Sequence, residues 1–375
     1  MDPEVGERLS ARTLELVNIE SVSKEESDIL EVIHARLPVG LEVVDREDSV
    51  LFVAPAVRRS DAPFVVLAGH VDTVPPNGNF PGTLEGDAVV GRGAADMKGA
   101  VAVMEEVATW LAADPTASDL DVGFLFFGRE ELPITQSALL PLFERCPLTH
   151  SINLAILMEP TANAIQVGCL GNLNVQLEVR GSAAHTARPW LGRNAIHTAI
   201  EALATIAAQT PRDVEIDGLV FREVVSVTSI EGGIAGNVVP DRVEARVNFR
   251  YAPTRAPAEA EAWLRGMVPH PDIEVNVIGN APPGPVSVRN PLVDRLRSAG
   301  DLFIEPKQAW TPVAEFATID VDAVNFGPGD PKYAHRDDER IDTSALAHSY
   351  SVLRGFLAAR EEAKETAKET AKETG

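Results

Sequence analysis

The sequence predicts an α/β protein whose mostly parallel sheet is interrupted by an inserted βαββαβ unit of the ferredoxin-like kind. Two observations carry this. Early in the chain, short apolar runs alternate with helix-period stretches: FVVLAG, MKGAVAVMEEVATWLAAD, DVGFLFFG and NLAILM. Such alternation builds βαβ units and a parallel sheet. After Gly171 the order changes to strand, helix, strand, strand, helix, strand, which is that of a ferredoxin-like unit.

The elements follow from periodicity. LSARTLELVNI and SDILEVIHARL repeat their apolar residues at helical spacing. In the insert, NLNVQLEVRG alternates as a half-buried strand, and NAIHTAIEALATIAAQT is an amphipathic helix. VVSVTSIEGG and RVEARVNFRYAP are strands, APAEAEAWLRGMV a helix and IEVNVIG a last strand. APPGP then marks a linker. The first domain resumes with the helix NPLVDRLRSAG, the strand VDAVNFG and a closing helix SALAHSYSVLRGFLAAREEA. The expected division is one domain from 1–171 and 283–362, an insert at 172–282, and a low-complexity tail, KETAKETAKETG, at 363–375.

Composition narrows the function. A length of 375 residues suits two or three domains. The net charge is −23 with a pI near 4.7, which argues against a nucleic-acid-backbone binder. Two cysteines, Cys146 and Cys169, allow neither a disulfide framework nor a thiolate-rich metal site. The start MDPEVGERLS lacks an apolar signal segment, and no apolar run reaches the roughly 18 residues that span a bilayer. The expectation is a reduced, cytoplasmic protein with no membrane partner.

The polar residues that end apolar runs are the candidates for chemistry. In FVVLAGHVDTVPP, His70 and Asp72 stand two apart, so both can point to one face of a strand. They are either ordinary turn residues or an imidazole with an orienting carboxylate, as around a metal. Asp96 follows VVGRGAA, Glu130 and Glu131 follow DVGFLFFGR, Glu159 follows NLAILM, and His335 follows AVNFGPGDPKYA. In an open α/β sheet, sites form beyond the carboxyl ends of the strands, so these residues are expected to converge at one edge. Two histidines with several carboxylates and no thiolate suit Zn²⁺, with Mn²⁺ or Co²⁺ as substitutes.

GHVDTVP, GRGAADMKGA, the Glu-Glu pair, MEPT and AHRDDE together resemble the di-zinc M20 metallopeptidase family. That family includes aminoacylases, carboxypeptidases and desuccinylases. WTPVAEF, GCLGN and GSAAHTARPWLGRNAIH are most similar to its actinobacterial succinyl-diaminopimelate desuccinylase branch. The resemblance implies a catalytic domain, with the insert serving as a lid and dimerisation domain, and a homodimer acting on a small acylated amino acid. It implies His70, Asp96 and Glu159 on one Zn²⁺, and Asp96, Glu131 and His335 on a second. Asp72 would orient His70, and Glu130 would be the general base. His185 would come from the partner subunit to stabilise the oxyanion. Arg188, Asn237, Arg250 and Thr311 would contact the substrate. Taken alone, His185 and Arg250 could be surface residues, and Asn237 could cap a turn.

This sequence departs from the branch at three points. Cys169-Leu170 stands where many desuccinylases have an Arg pair that reads the succinyl carboxylate. Arg188 would then supply that charge, or the acyl group differs. Arg129 precedes the Glu pair where an acid is usual, and Glu315 stands where an Arg is common. Arg129 either touches the substrate or turns away from it.

Overall fold

The computed structural model describes residues 3–358. The tail expected at 363–375 and the last residues of the expected closing helix, from 359 on, lie outside the described residues. The chain divides into two compact units. The first holds the chain through Val167, Ser287–Glu305 and the described residues from Glu315 onward; the second holds Gly168–Val286 and Pro306–Ala314.

The first unit is organised by an eight-stranded sheet. Its order is Leu41–Asp45, Val50–Pro55, Asp121–Phe127, Phe64–His70, Leu154–Leu157, Ala323–Asn325, Ile165–Val167 and Ile304–Pro306. The four strands from Asp121–Phe127 to Ala323–Asn325 run parallel, and antiparallel strands flank them. Every residue of Phe64–His70 and Asp121–Phe127 is buried. Strands covered on both faces need continuous apolar runs, and these have them. The helix Gly99–Ala113 packs on the sheet beside Pro3–Val17 and Thr343–Leu357.

Register brings the strand ends level. His70 pairs with Phe127, Ala68 with Leu157, and Leu157 with Asn325. The residues that follow these strands therefore leave the sheet at one edge. Asp96 arrives differently. Its preceding strand, Ala88–Val90, belongs to a separate three-stranded sheet with Thr83–Glu85 and Arg340–Asp342. The expectation that all five sites hang from one sheet therefore fails for Asp96, which lies on the turn into the Gly99–Ala113 helix.

The second unit is a five-stranded antiparallel sheet in the order Arg212–Ile216, Leu219–Gly232, Arg242–Tyr251, Gly171–Arg180 and Ile273–Ala281. Without the first of these, order and helices are those of the βαββαβ unit. Arg212–Ile216 is an added hairpin arm that the periodicity did not predict, and its partner begins at Leu219, five residues before the strand expected from VVSVTSIEGG. Alternate residues Leu173, Val175 and Leu177 face Val247, Phe249 and Tyr251 in one core, which Ala260 and Leu264 of the helix Pro257–Met267 complete. Trp263 stacks on Phe249 with ring centroids 4.3 Å apart. Asn194 caps the other helix, Ala195–Ala207, by accepting from the Ile196 and His197 N–H groups.

Gly171 is required by close approach, since a Cβ there would stand 2.2 Å from the Tyr251 ring. Tyr251 cannot move aside cheaply. It is fully buried, and its hydroxyl donates to Asn280 Oδ1 and the Ala281 carbonyl. Gly171→Ala is therefore expected to destabilise the protein by about 1–3 kcal/mol, the usual cost of overpacking, read as a lower urea midpoint.

Candidate active site

His70 is the last residue of its strand and is 1% exposed. Its Nδ1 lies 3.0 Å from the Asp72 backbone carbonyl. A carbonyl only accepts, so Nδ1 carries a proton, which leaves Nε2 as the nitrogen that can serve a metal. Nε2 lies 3.0 Å from Asp96 Oδ1. The other Asp96 oxygen, Oδ2, lies 3.5 Å from His335 Nε2, and that same nitrogen lies 2.9 Å from Glu131 Oε1. One carboxylate thus faces two imidazoles with separate oxygens.

The structure brings together all five residues singled out as ligands. Donor atoms of His70, Asp96 and Glu159 lie within 4.8 Å of one another, and so do those of Asp96, Glu131 and His335. Glu130 falls in a third such group with His70 and Glu131. Glu159 follows the strand Leu154–Leu157 after one residue, Met158, whose N–H bonds the Ala68 carbonyl.

Charge is crowded here. Burial first, then the charges of Glu159, Glu131 and Asp96, hold the Glu130 carboxyl well above its ordinary value, with His70 opposing. Burial would depress the His70 imidazolium, but hydrogen bonds to Asp72 and Asp96 outweigh it and raise it well above the usual histidine value. Asp96 and Glu131 push His335 up to about 10. Burial would raise Asp96, yet His335 and His70 hold it well below the normal carboxylate range. The carboxylates draw positive charge into the cluster. The donor set therefore fits a pair of divalent cations: two imidazole nitrogens, a carboxylate open on both oxygens, two further carboxylates and no thiolate.

Asp72 ties the cluster together. It is 0% exposed. Its Oδ2 accepts from Ser23 Oγ at 2.7 Å and from the Glu131 N–H at 3.3 Å, and its Oδ1 accepts from the Glu130 N–H at 3.1 Å. The His70 ring stands 3.6 Å from Oδ1. One carboxylate thus orients an imidazole and the turn that bears both glutamates. Ser23 was missed in sequence because a lone serine carries no motif. It is placed by a bridge between Val22 and Thr73 and by the Ser23 N–H on the Thr73 carbonyl.

Arg129 is turned away from this cluster. It has a positive φ of 63° and pairs with Asp48 at 2.6 Å. Cys169 is buried, and its Sγ lies 3.2 Å from the Gly284 N–H and 3.6 Å from the Thr311 carbonyl. Burial pushes its thiol up to about 11, so it is a neutral packing group and not an anion reader. Glu315 is 2% exposed, and burial raises its carboxyl to about 7.

The remaining candidates belong to the second unit. His185 is exposed, and its Nδ1 accepts from the Ala187 N–H at 3.0 Å. Arg188 and Asn237 join it locally. The Arg188 N–H bonds the His185 carbonyl, and the Thr186 N–H bonds the Asn237 carbonyl. Arg250 is half-buried on its strand, with Nε donating to Asn248 Oδ1 at 3.1 Å. Thr311 is buried beside Cys169.

A sheet edge that presents two imidazoles around a shared carboxylate defines the class of a metal-dependent hydrolase, and the comparisons agree. The profile of Peptidase family M20/M25/M40 matches residues 66–359, and the chain belongs to that family. A Mycobacterium tuberculosis protein assigned as succinyl-diaminopimelate desuccinylase DapE is 37% identical over 348 residues, 92% of this chain and 96% of that one. The succinyl-diaminopimelate desuccinylase of Corynebacterium glutamicum is 34% identical over 360 residues, 92% and 95% of the two chains. Among solved structures, the aminopeptidase PepT of Bacillus cereus superposes with a TM-score of 0.76 at 20% identity, covering 94% of this chain and 98% of that one. A dinuclear metal-binding M20 peptidase of Bacillus subtilis gives 0.71 at 16% identity, covering 95% and 98%.

Replacing Asp72 with Asn should leave the fold intact but loosen both the ring and the turn. Metal affinity is expected to fall about 10- to 100-fold, as for other groups that orient metal ligands, measured by Zn²⁺ titration against a competing chelator.

Proposed function

We propose that this protein is a two-metal amide hydrolase that cleaves N-succinyl-L,L-2,6-diaminopimelate to succinate and the free diamine. The observation that carries the chemistry is Asp96, whose two oxygens face His70 at 3.0 Å and His335 at 3.5 Å. The substrate reading is supported by the two desuccinylase relatives at 37% and 34% identity over nearly the whole chain. His70, Asp96 and Glu159 would hold one ion and Asp96, Glu131 and His335 the other. Two Zn²⁺ ions, or Co²⁺ or Mn²⁺ in their place, would acidify a water and polarise the scissile carbonyl.

The chain's own residues supply the rest. Glu130 is held above its ordinary pKa by burial and by its acidic neighbours, which suits a group that takes a proton from water and passes it to the leaving amine. Asp72 keeps the His70 tautomer and fixes the Glu130 amide. Arg250, Arg188, Asn237 and Thr311 are proposed to bind the substrate's carboxylates, for which a guanidinium fork is well shaped. His185 is proposed to donate to the oxyanion from a second copy of the chain, which makes the active form a homodimer through the second unit. Cys169-Leu170 in place of an Arg pair lacks a charge reader that desuccinylases often have, and this favours another deacylase or a dipeptidase as the second reading.

Glu130→Ala is expected to bind metal normally and to lose about three decades or more of kcat, since base and water act together. The substrate is decided by offering succinyl-diaminopimelate, acetylornithine and dipeptides to the Zn²⁺-loaded protein. Turnover of only the latter two would overturn the desuccinylase reading. For His185, mixing inactive Glu130→Ala and His185→Ala chains should restore part of the activity through mixed dimers. No recovery would place His185 in the same chain's site or outside the reaction.

A further inference from the structure

We infer that Glu339 is a positioning residue, fixing the peptide of Asp96 so that this carboxylate can serve both halves of the cluster. The inference rests on the metal reading above and extends it to a residue outside the ligand set. Glu339 is 0% exposed. Its Oε2 accepts from Arg92 Nη1 at 2.7 Å, and Arg92 is itself buried. Its Oε1 accepts two backbone N–H groups, those of Ala95 at 3.2 Å and Asp96 at 3.1 Å.

Asp96 needs such an outside acceptor. Its φ of −127° and ψ of 90° are not helical, so the helix that starts at Gly99 does not fix its peptide. A carboxylate suits the place because its side-chain hydrogen-bond partners, Arg92 and the Ala95 and Asp96 amides, are all donors. Gln would offer one acceptor oxygen and turn its NH₂ either at the Arg92 guanidinium or at the two amides. An Asp would keep the charge but fall one methylene short of one partner or the other.

The same residue links Asp96 to His335, which lies four positions earlier in AHRDDE. The Gly91 N–H donates to the Glu339 carbonyl at 2.9 Å. Asn79 Nδ2 donates to the Arg336 carbonyl at 3.1 Å, and the Arg92 N–H donates to the Asn79 carbonyl at 3.0 Å. A Cβ at Gly329 would stand 2.2 Å from the Ala95 carbonyl oxygen, so the loop leading to His335 lies directly on the Asp96 turn. Two ligands distant in sequence are thereby held as one piece, with Glu339 at the joint.

The test is metal binding by metal-free protein, followed by calorimetry with Zn²⁺ and by the visible absorption of Co²⁺. Glu339→Gln and Glu339→Asp are expected to bind about 10- to 100-fold more weakly than the wild type and to shift the Co²⁺ spectrum, with unchanged circular dichroism. Glu339→Asp keeps the buried charge pair and carries the test should the Gln variant fail to fold. Wild-type affinity and spectrum in folded Glu339→Asp would overturn the inference alone. A wild-type protein that takes up neither ion would overturn the metal reading and this inference with it.

Discussion

The structure is shaped by the repulsion among carboxylates gathered at one edge of a sheet. Asp96, Glu131 and Glu159 are brought close enough to Glu130 to hold its carboxyl above the ordinary value. In a partly dehydrated place this is costly unless positive charge is present. The two imidazoles answer part of that demand, and both are raised above the ordinary histidine value. The arrangement tolerates such crowding because the surrounding backbone does not yield. The parallel strands beneath are buried on both faces, and their ends are level.

Rigidity is supplied by two buried acids that take no ligand position. Asp72 gathers a serine hydroxyl, two backbone amides and an imidazole. Glu339 gathers a guanidinium and two backbone amides. Each holds a turn whose backbone no regular element would fix. The logic is the same in both cases: an acceptor is placed where several donors would otherwise be buried without partners.

Burial decided much, though not all, of what was legible in the sequence. Phe64–His70, Asp121–Phe127 and Leu154–Leu157 could be found because strands covered on both faces are written in continuous apolar residues. Leu41–Asp45 and Arg212–Ile216 could not, since they are largely exposed and carry little apolar signal, and Val50–Pro55 was passed over although it is buried and apolar. The histidines and acids of the site stood out because each ends an apolar run. Asp96 was found by that rule although its strand lies in another sheet, so there the motif succeeded where the topology behind it did not. Ser23 was invisible because its role is set by a contact across 49 positions. Arg129 was ambiguous in sequence, and its partner Asp48 lies 81 positions away.

The second unit is not one uninterrupted stretch of chain. It is entered after Val167, left after Val286, re-entered at Pro306 and left again after Ala314. A ribosome therefore finishes most of this unit before releasing the segment Ala323–Asn325, a parallel partner of Leu154–Leu157. The nascent sheet must wait with an open flank while more than a hundred residues are threaded elsewhere. Non-local pairing of this kind slows folding and leaves strand edges exposed in the interval, so the order of synthesis makes the chain's early life its most vulnerable to misassembly.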